Sequence, residues 1–337
     1  MSFIQTNPIF AAVTNASSAS LNAAINQGHK INETETESGD NTSFTVLDYA
    51  ILTLKYSMVK PILVYVNLLL PSEKSKMLNN GLKTLVKCME KYVNTNREEN
   101  LSDDMVVFND LKNAGADLSL VVNTQENLYL YHYAIKLNSI ELFDMLIANN
   151  IDSNVCDAQG NNILMYAFMY DRRNFIPTLI NKSDNLTVVQ NYSKKSFLHY
   201  TVERNYYEIA VQLLTAAPEL LYIKDEDSKT ALHYVVERYT KEIAHTYIDY
   251  FAGILEAQTE NSNALLTFLN AQDFRGDTAL HYIIEKANMY SSLNPGECNC
   301  MIKKLVSKGA SLYIKNSRGL MPIDLHGVSK EFIHDIC

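Results

Sequence analysis

Asp273-Phe274-Arg275-Gly276-Asp277-Thr278-Ala279-Leu280-His281 is the stretch whose reading decides the fold. An Asp followed three residues later by Gly is turn chemistry: the short acid bonds its own backbone, and Gly accepts the left-handed conformation. An apolar hexamer, TALHYI from Thr278, follows the turn, and it recurs. TALHYV begins at Thr230, SFLHYT at Ser196, NILMYA at Asn162, YLYHYA at Tyr129 and TVLDYA at Thr45. NPIFAA from Asn7 and MPIDL from Met321 are more divergent copies. In chain order the starts lie 38, 84, 33, 34, 34, 48 and 43 residues apart, so three consecutive spacings fall at 33 or 34. A fixed period of this length marks repeats that bury their apolar faces only by stacking.

Each hexamer is followed by a second apolar pattern at helical spacing. After Tyr129 it reads Ile140, Phe143, Leu146 and Ile147; after Ser196, Ile209, Leu213 and Leu214; after Thr278, Met301, Leu305 and Val306. Gly115, Asn150 and Gly309 end these second helices, because Gly and Asn tolerate a left-handed residue there. Turn residues follow at Asp157 to Gly160, Asp273 to Gly276 and Asn316 to Gly319. Each unit is therefore a short helix, a tight turn, a second helix and a loop.

Asp-x-x-Gly-x-Thr-x-Leu-His, then an apolar helix and Gly-Ala, at a period of 33, resembles the ankyrin repeat. The match from Asp273 to His281 is the fullest, and Ser228-Lys229 departs from the family's usual Gly in the copy at Asp225. The resemblance covers residues 7 to about 325. It implies an all-α fold: an ankyrin-repeat solenoid of about eight to nine helix-turn-helix repeats, some with insertions. We expect one solenoid over 1–337, with degenerate repeats at 7–128, clearer repeats at 129–325, and a cap or tail at 326–337. Caps are expected at 7–32 and 321–336. The gap of 84 residues predicts one more repeat, with a first helix over 75–92 and a second over 101–114. The longer spacings predict extra helix around 241–268 and a loop around 288–297. Insertions of this kind often lie on a binding face.

Composition narrows function. Of 337 residues, 47% are hydrophobic, enough for a large core. Lys plus Arg is 29 against 38 for Asp plus Glu, a net charge of -9, which argues against a nucleic-acid binder. Cys88, Cys156, Cys298, Cys300 and Cys337 are odd in number and scattered, so a disulfide framework is not expected. The start, MSFIQTNPIFAAV, has no secretory pattern, and the most apolar stretch, 58–70, is too short for a membrane span and reads as a buried helix. The expected setting is cytoplasmic. Richness in Asn, Ile, Lys and Tyr, together with degenerate ankyrin repeats, resembles effectors that intracellular bacteria send into host cells without a cleaved signal peptide.

Four columns of residues recur. His132, His199, His233 and His281 stand one per repeat, about 10 Å apart, too far to share a metal. In the ankyrin family this His bonds backbone in the adjoining loop; Asp48 and Asp324 take its slot here. Tyr49, Tyr133, Tyr166, Tyr200, Tyr234 and Tyr282 follow, as inter-repeat packing or as an aromatic ladder for a partner. Glu203-Arg204, Glu237-Arg238 and Glu285-Lys286 close the first helices. Loop tips supply Gln159, Tyr192, Ser193, Glu226, Asp227, Phe274, Arg275 and Arg318. Family analogy places tips and helix ends on the concave face. The expected partner-binding set is therefore Gln159, Tyr192, Ser193, Tyr200, Glu203, Arg204, Glu226, Asp227, Tyr234, Glu237, Arg238, Phe274, Arg275, Glu285 and Arg318. The acidic run at Asp225, Glu226 and Asp227 points to a protein partner with a basic patch.

Catalysis has no local signal: no phosphate-cradling Gly loop, no nucleophile elbow and no metalloprotease helix. No cofactor and no metal are expected, since Cys298-x-Cys300 lacks a second pair. The function expected is a non-enzymatic protein-binding scaffold. Two alternatives remain: a catalytic module hidden in 55–111 or 241–268, or a ubiquitin-ligase adaptor through Leu70-Pro71-Ser72-Glu73, which faintly resembles an F-box opening. The plain reading of that run is a helix start with Ser72 as N-cap.

Overall fold

A computed structural model describes residues 7–36, 43–93, 101–152, 154–182, 191–238, 241–257, 263–289 and 295–325. The chain divides into two compact units, 1–158 and 159–337.

The first unit contains four helix pairs among its described residues. They are α1 (Pro8–Thr14) with α2 (Ser18–Asn26), α3 (Val46–Leu52) with α4 (Val59–Val66), α5 (Pro71–Val93) with α6 (Leu101–Ala114), and α7 (Leu130–Lys136) with α8 (Ile140–Ala148). The first helices stack in order, α1 on α3, α3 on α5 and α5 on α7. Two antiparallel hairpins lead into α3 and α7: β1 (Thr34–Thr36) with β2 (Ser43–Thr45), and β3 (Val121–Asn123) with β4 (Leu128–Tyr129).

The second unit repeats the plan. It holds α9 (Ile163–Met169) with α10 (Ile176–Lys182), α11 (Phe197–Glu203) with α12 (Tyr207–Ala216), α13 (Ala231–Arg238) with α14 (Lys241–Glu256), and, beyond α15 (Ala264–Leu269), α16 (Ala279–Met289) with α17 (Pro295–Ser307). Again the first helices stack, α9 on α11, α11 on α13 and α13 on α16.

A seven-residue helix does not hold its shape alone in water. Here the short first helices α11 and α13 are buried from Phe197 to Val202 and from Ala231 to Val236. Helix ends of both kinds are also fixed. Thr45 and Asp48 form a reciprocal capping box on α3, with Thr45 N–H on Asp48 Oδ2 at 3.0 Å. Ser139 and Asn162 accept from Leu142 and Met165 N–H at 3.2 and 3.0 Å on α8 and α9. Each such cap is worth about 1 kcal/mol.

Several sequence expectations shift. The extra repeat in the 84-residue gap is α5 and α6, and α5 begins at Pro71 rather than 75. Ser72 is therefore not an N-cap: Pro71 opens the helix, where its missing N–H costs nothing, and Lys74 N–H bonds Leu70 O at 2.9 Å. The 58–70 stretch is not buried throughout. Met58, Val59, Ile62, Leu63 and Val66 face the core, while Val64, Leu68 and Leu70 face solvent. In α8 the buried face is Leu142, Phe143 and Leu146, and Ile140 at the first helical position points outward. The segment 241–257 is no insertion: α14 is the second helix of its repeat, lengthened, and α15 is the addition. Of the expected 288–297 loop, 288–289 end α16 and 295–297 open α17, while 290–294 and the tail at 326–337 lie outside the described residues.

Candidate partner-binding site

Three histidines of the second unit tie each repeat to the next loop. Ser196, Thr230 and Thr278 donate their backbone N–H to Nδ1 of His199, His233 and His281 at 3.1, 3.1 and 3.0 Å. A ring nitrogen that accepts an N–H carries no proton, so the neutral ring is protonated at Nε2. Nε2 then donates to a carbonyl of the following loop: Lys229 at 3.1 Å, Asp277 at 3.2 Å and Leu320 at 3.1 Å. Burial lowers the pKa of His199, and it brings His233 down to about 4. These rings are neutral structural clasps. In the first unit Asp48 does the same with a carboxylate: Oδ2 takes Thr45, and Oδ1 accepts the Thr84 hydroxyl of α5 at 2.8 Å.

The loops are built around one buried side chain each. Asp225 Oδ1 accepts N–H of Asp227 and Lys229 at 2.9 and 2.8 Å. Asp273 Oδ1 accepts N–H of Arg275 and Asp277, both at 2.8 Å. Asn316 Oδ1 takes Arg318 and Leu320 at 3.0 and 3.1 Å. The tyrosine nine residues on completes the turn. Tyr234 donates to Asp225 Oδ2 at 2.6 Å and Tyr282 to Asp273 Oδ2 at 2.8 Å. Asn191 Nδ2 donates to the Tyr200 hydroxyl at 2.9 Å. Neighbouring tips are also sewn together by backbone bonds. Tyr192 N–H reaches Gln159 O, Glu226 reaches Ser193 O, Phe274 reaches Asp227 O, and Ser317 reaches Arg275 O, all within 2.8 to 3.1 Å.

A charged ladder runs beside this seam. Lys195 bonds Glu203 at 2.6 Å, and Arg238 reaches the same carboxylate at 3.3 Å. Lys229 pairs with Glu237 at 3.1 Å, and Arg318 pairs with Glu285. Arg204 caps Met169 O at 2.7 Å. The two lysines lie over tyrosine faces of adjacent repeats: Lys195 is 5.2 Å from the Tyr234 ring, and Lys229 is 5.1 Å from Tyr282. A cation over a ring face gains from the ring's negative quadrupole.

Two expected contact residues thus have other work. Tyr200 and Tyr234 are each only 7% exposed, and their hydroxyls are bonded inside the loop. They position the tips and offer a partner almost no surface. Asp225 is likewise buried, so the acidic tip is Glu226 and Asp227 alone. Glu203, Glu237 and Glu285 are engaged by Lys195, Lys229 and Arg318, and Arg204 and Arg238 reach across to neighbouring repeats. Arg275 braces its loop, at 3.3 Å from Asp277 and 3.1 Å from the Tyr282 hydroxyl. What stands out to solvent is Tyr192 at 77% and Phe274 at 63% exposure, with Gln159, Arg204, Glu226, Asp227, Glu237, Arg238, Arg275 and Arg318 also exposed and Ser193 half-buried. Sequence reasoning missed Lys195 and Lys229. Their signal was present as a Lys directly before Ser196 and Thr230 and eight residues before Glu203 and Glu237.

The segments suspected of hidden catalysis are helical: α4, α5 and α6 span most of 55–111, and α14 and α15 most of 241–268. Asp104 of α6 lies in the first of them. It is buried, its pKa is raised by that burial, and the Tyr56 hydroxyl caps it. Burial pushes the nearby Cys88 thiol up to about 11, the opposite of an activated nucleophile. Among the described residues no group of three or more His, Cys, Asp or Glu could hold a metal ion, and no helix is long and apolar enough to cross a membrane.

A family model described as ankyrin repeats, in three copies, matches residues 131–222. No curated protein sequence matches the chain. Among solved structures, the ankyrin-repeat domain of Bcl-3, described as a unique member of the IkappaB protein family, aligns with a TM-score of 0.50 at 17% identity, covering 74% of this chain and 96% of that one. A chain from the complex of the predatory endopeptidase Bd0816 of Bdellovibrio bacteriovorus with immunity protein Bd3460 gives 0.44 at 22% identity, covering 61% and 93%. An ankyrin-repeat domain from Acinetobacter baumannii gives 0.47 at 18%, also covering 61% and 93%. At such identities the likeness to the Bcl-3 domain is one of fold, and the two lower scores add nothing to it.

Proposed function

We propose, from the premise that this chain carries ankyrin repeats, that it is a non-enzymatic recognition protein whose second unit grips a partner protein with its loop tips. The observation that supports this reading is the exposure of Tyr192 and Phe274 on loops fixed by buried Asx bonds and sewn to their neighbours. Large aromatics on stiff loops gain contact area while losing little entropy on binding. Glu226 and Asp227 call for a basic group on the partner. The wider setting, a bacterial effector acting on a host protein, is supported by composition together with the degenerate repeats, and fusion to a translocation reporter tests it separately.

Affinity capture from cell lysate with the full chain tests the recognition reading. Wild type is expected to retain a partner protein that Tyr192→Ala with Phe274→Ala loses, and association should slow as salt is added. Equal capture by both chains would overturn it.

A further inference from the structure

Tyr192, Glu226 and Phe274 hold the same place in three successive loops of the second unit. Each donates its backbone N–H to the loop before it, to Gln159 O at 3.1 Å, Ser193 O at 2.9 Å and Asp227 O at 2.9 Å. The first helices beneath them pack about 10 Å apart, so the three residues follow one another at about that step. The order along the row is aromatic, acid, aromatic, and all three side chains are exposed. The Tyr192 ring lies over Gly160, where an added Cβ would come within 2.9 Å of it.

Charge marks the middle of the row. The other carboxylates along this edge are neutralised from within: Glu203 by Lys195 and Arg238, Glu237 by Lys229, Glu285 by Arg318, and Asp273 and Asp277 by Arg275. Among the described residues no cation pairs with the carboxylate of Glu226 or of Asp227 beside it, and neither accepts a hydrogen bond. Two adjacent like charges repel, so a basic side chain placed over them both pairs and relieves that repulsion.

The step along the row selects the conformation of what lies on it. A polyproline II segment has three residues per turn and rises about 3.1 Å per residue, so every third side chain returns to one edge at about 9 Å. A β-strand turns its third side chain to the opposite face. An α-helix, rising about 1.5 Å per residue, meets the row only at every seventh residue, and must order about twice as much chain for the same three contacts. Exposed aromatic rings are also the surfaces on which proline-rich segments dock.

We propose that this row binds a proline-containing segment of the partner in the polyproline II conformation, with a Lys or Arg over Glu226 and Asp227 and an apolar residue three positions to either side, against Tyr192 and Phe274. The inference rests on the recognition reading above and adds the sequence pattern of the partner.

The probe is a displayed library of randomised twelve-residue peptides presented to the full-length chain. Enriched sequences should carry a Lys or Arg three residues from an apolar residue on both sides, with proline in excess. They should bind wild type at least about tenfold more tightly than Glu226→Lys with Asp227→Lys, and replacing the peptide's basic residue by Glu should restore binding to that variant. Its urea midpoint should match wild type, because neither carboxylate is bonded within the fold. Failure to enrich any peptide, motifs without a basic residue, apolar residues seven from the basic one, or binding indifferent to the charge reversal would each overturn the proposal. The recognition reading survives such a result if Tyr192→Ala with Phe274→Ala still loses the partner captured from lysate, and falls with it if capture is unchanged.

Discussion

Removing one oxygen from Tyr234 tests whether the tyrosine column shapes the loops or meets a partner. Asp225 is buried, and its Oδ1 already takes two backbone N–H groups. Its Oδ2 receives the Tyr234 hydroxyl at 2.6 Å. Tyr234→Phe leaves that oxygen buried without its donor, a loss of about 2 kcal/mol for a hydrogen bond to a charged acceptor. Tyr282→Phe has a built-in rescue. Arg275 Nε already stands 3.5 Å from Asp273 Oδ2, and its Nη2 no longer has the hydroxyl to serve. The guanidinium can take over, so about 1 kcal/mol should go there. Urea unfolding followed by circular dichroism reads both. With a slope of about 2–3 kcal/mol per molar, Tyr234→Phe should lower the midpoint by roughly 0.7–1 M and Tyr282→Phe by about half of that. Affinity for a captured partner should stay within threefold of wild type. Unchanged stability with a large loss of affinity would refute the reasoning and return the ladder to the partner.

Further outcomes follow from the same geometry. His233 has a folded pKa of about 4 against about 6.5 unfolded, so its contribution is present above pH 6.5 and is lost as pH falls toward 4. His199 shifts in the same direction. Urea midpoints should fall from pH 7 to pH 5 by an amount equivalent to about 2 kcal/mol from His233 alone, and His233→Gln should flatten that slope; a midpoint that rises on acidification would contradict the clasp. Gly276 and Gly319 both sit at positive φ, +73 and +76, but only at Gly276 would a Cβ meet backbone, Ser317 N at 2.9 Å. Gly319→Ala should cost about 1 kcal/mol for conformation alone, and Gly276→Ala clearly more, read by thermal unfolding. Glu203→Gln, which weakens pairs to both Lys195 and Arg238, should cost about 1 kcal/mol at low salt, and the difference should shrink at high salt.

The fold was legible because stacking imposes a period. Each repeat must present the same buried helix and turn to its neighbours, so TALHYI and TALHYV appear wherever that geometry recurs. The α5–α6 pair lacks the hexamer and was found only by counting residues in the gap; its long amphipathic helix buries Leu78, Leu82 and Leu85 by ordinary helical spacing. The site was half legible. Tyr192 and Phe274 could be picked out because a turn tip exposes what it carries. Tyr234 and Glu203 could not be sorted by residue type. A tyrosine or glutamate at a helix end reads as a contact residue until its partner nine or eight residues upstream is placed in space. The exposure of Leu68 and Leu70 was hidden in the opposite way: a run of leucines reads as core, and only the structure shows which of them point outward.

The most direct measurement compares affinities of the captured partner for two variants of the second unit. Tyr192→Ala with Phe274→Ala removes the exposed tips, and Gln212→Ala changes an exposed residue on the second helix α12. The account predicts at least a tenfold weaker Kd for the first, about 1.4 kcal/mol, and less than a twofold change for the second. A partner that ignores the tips and loses affinity with Gln212→Ala would contradict it.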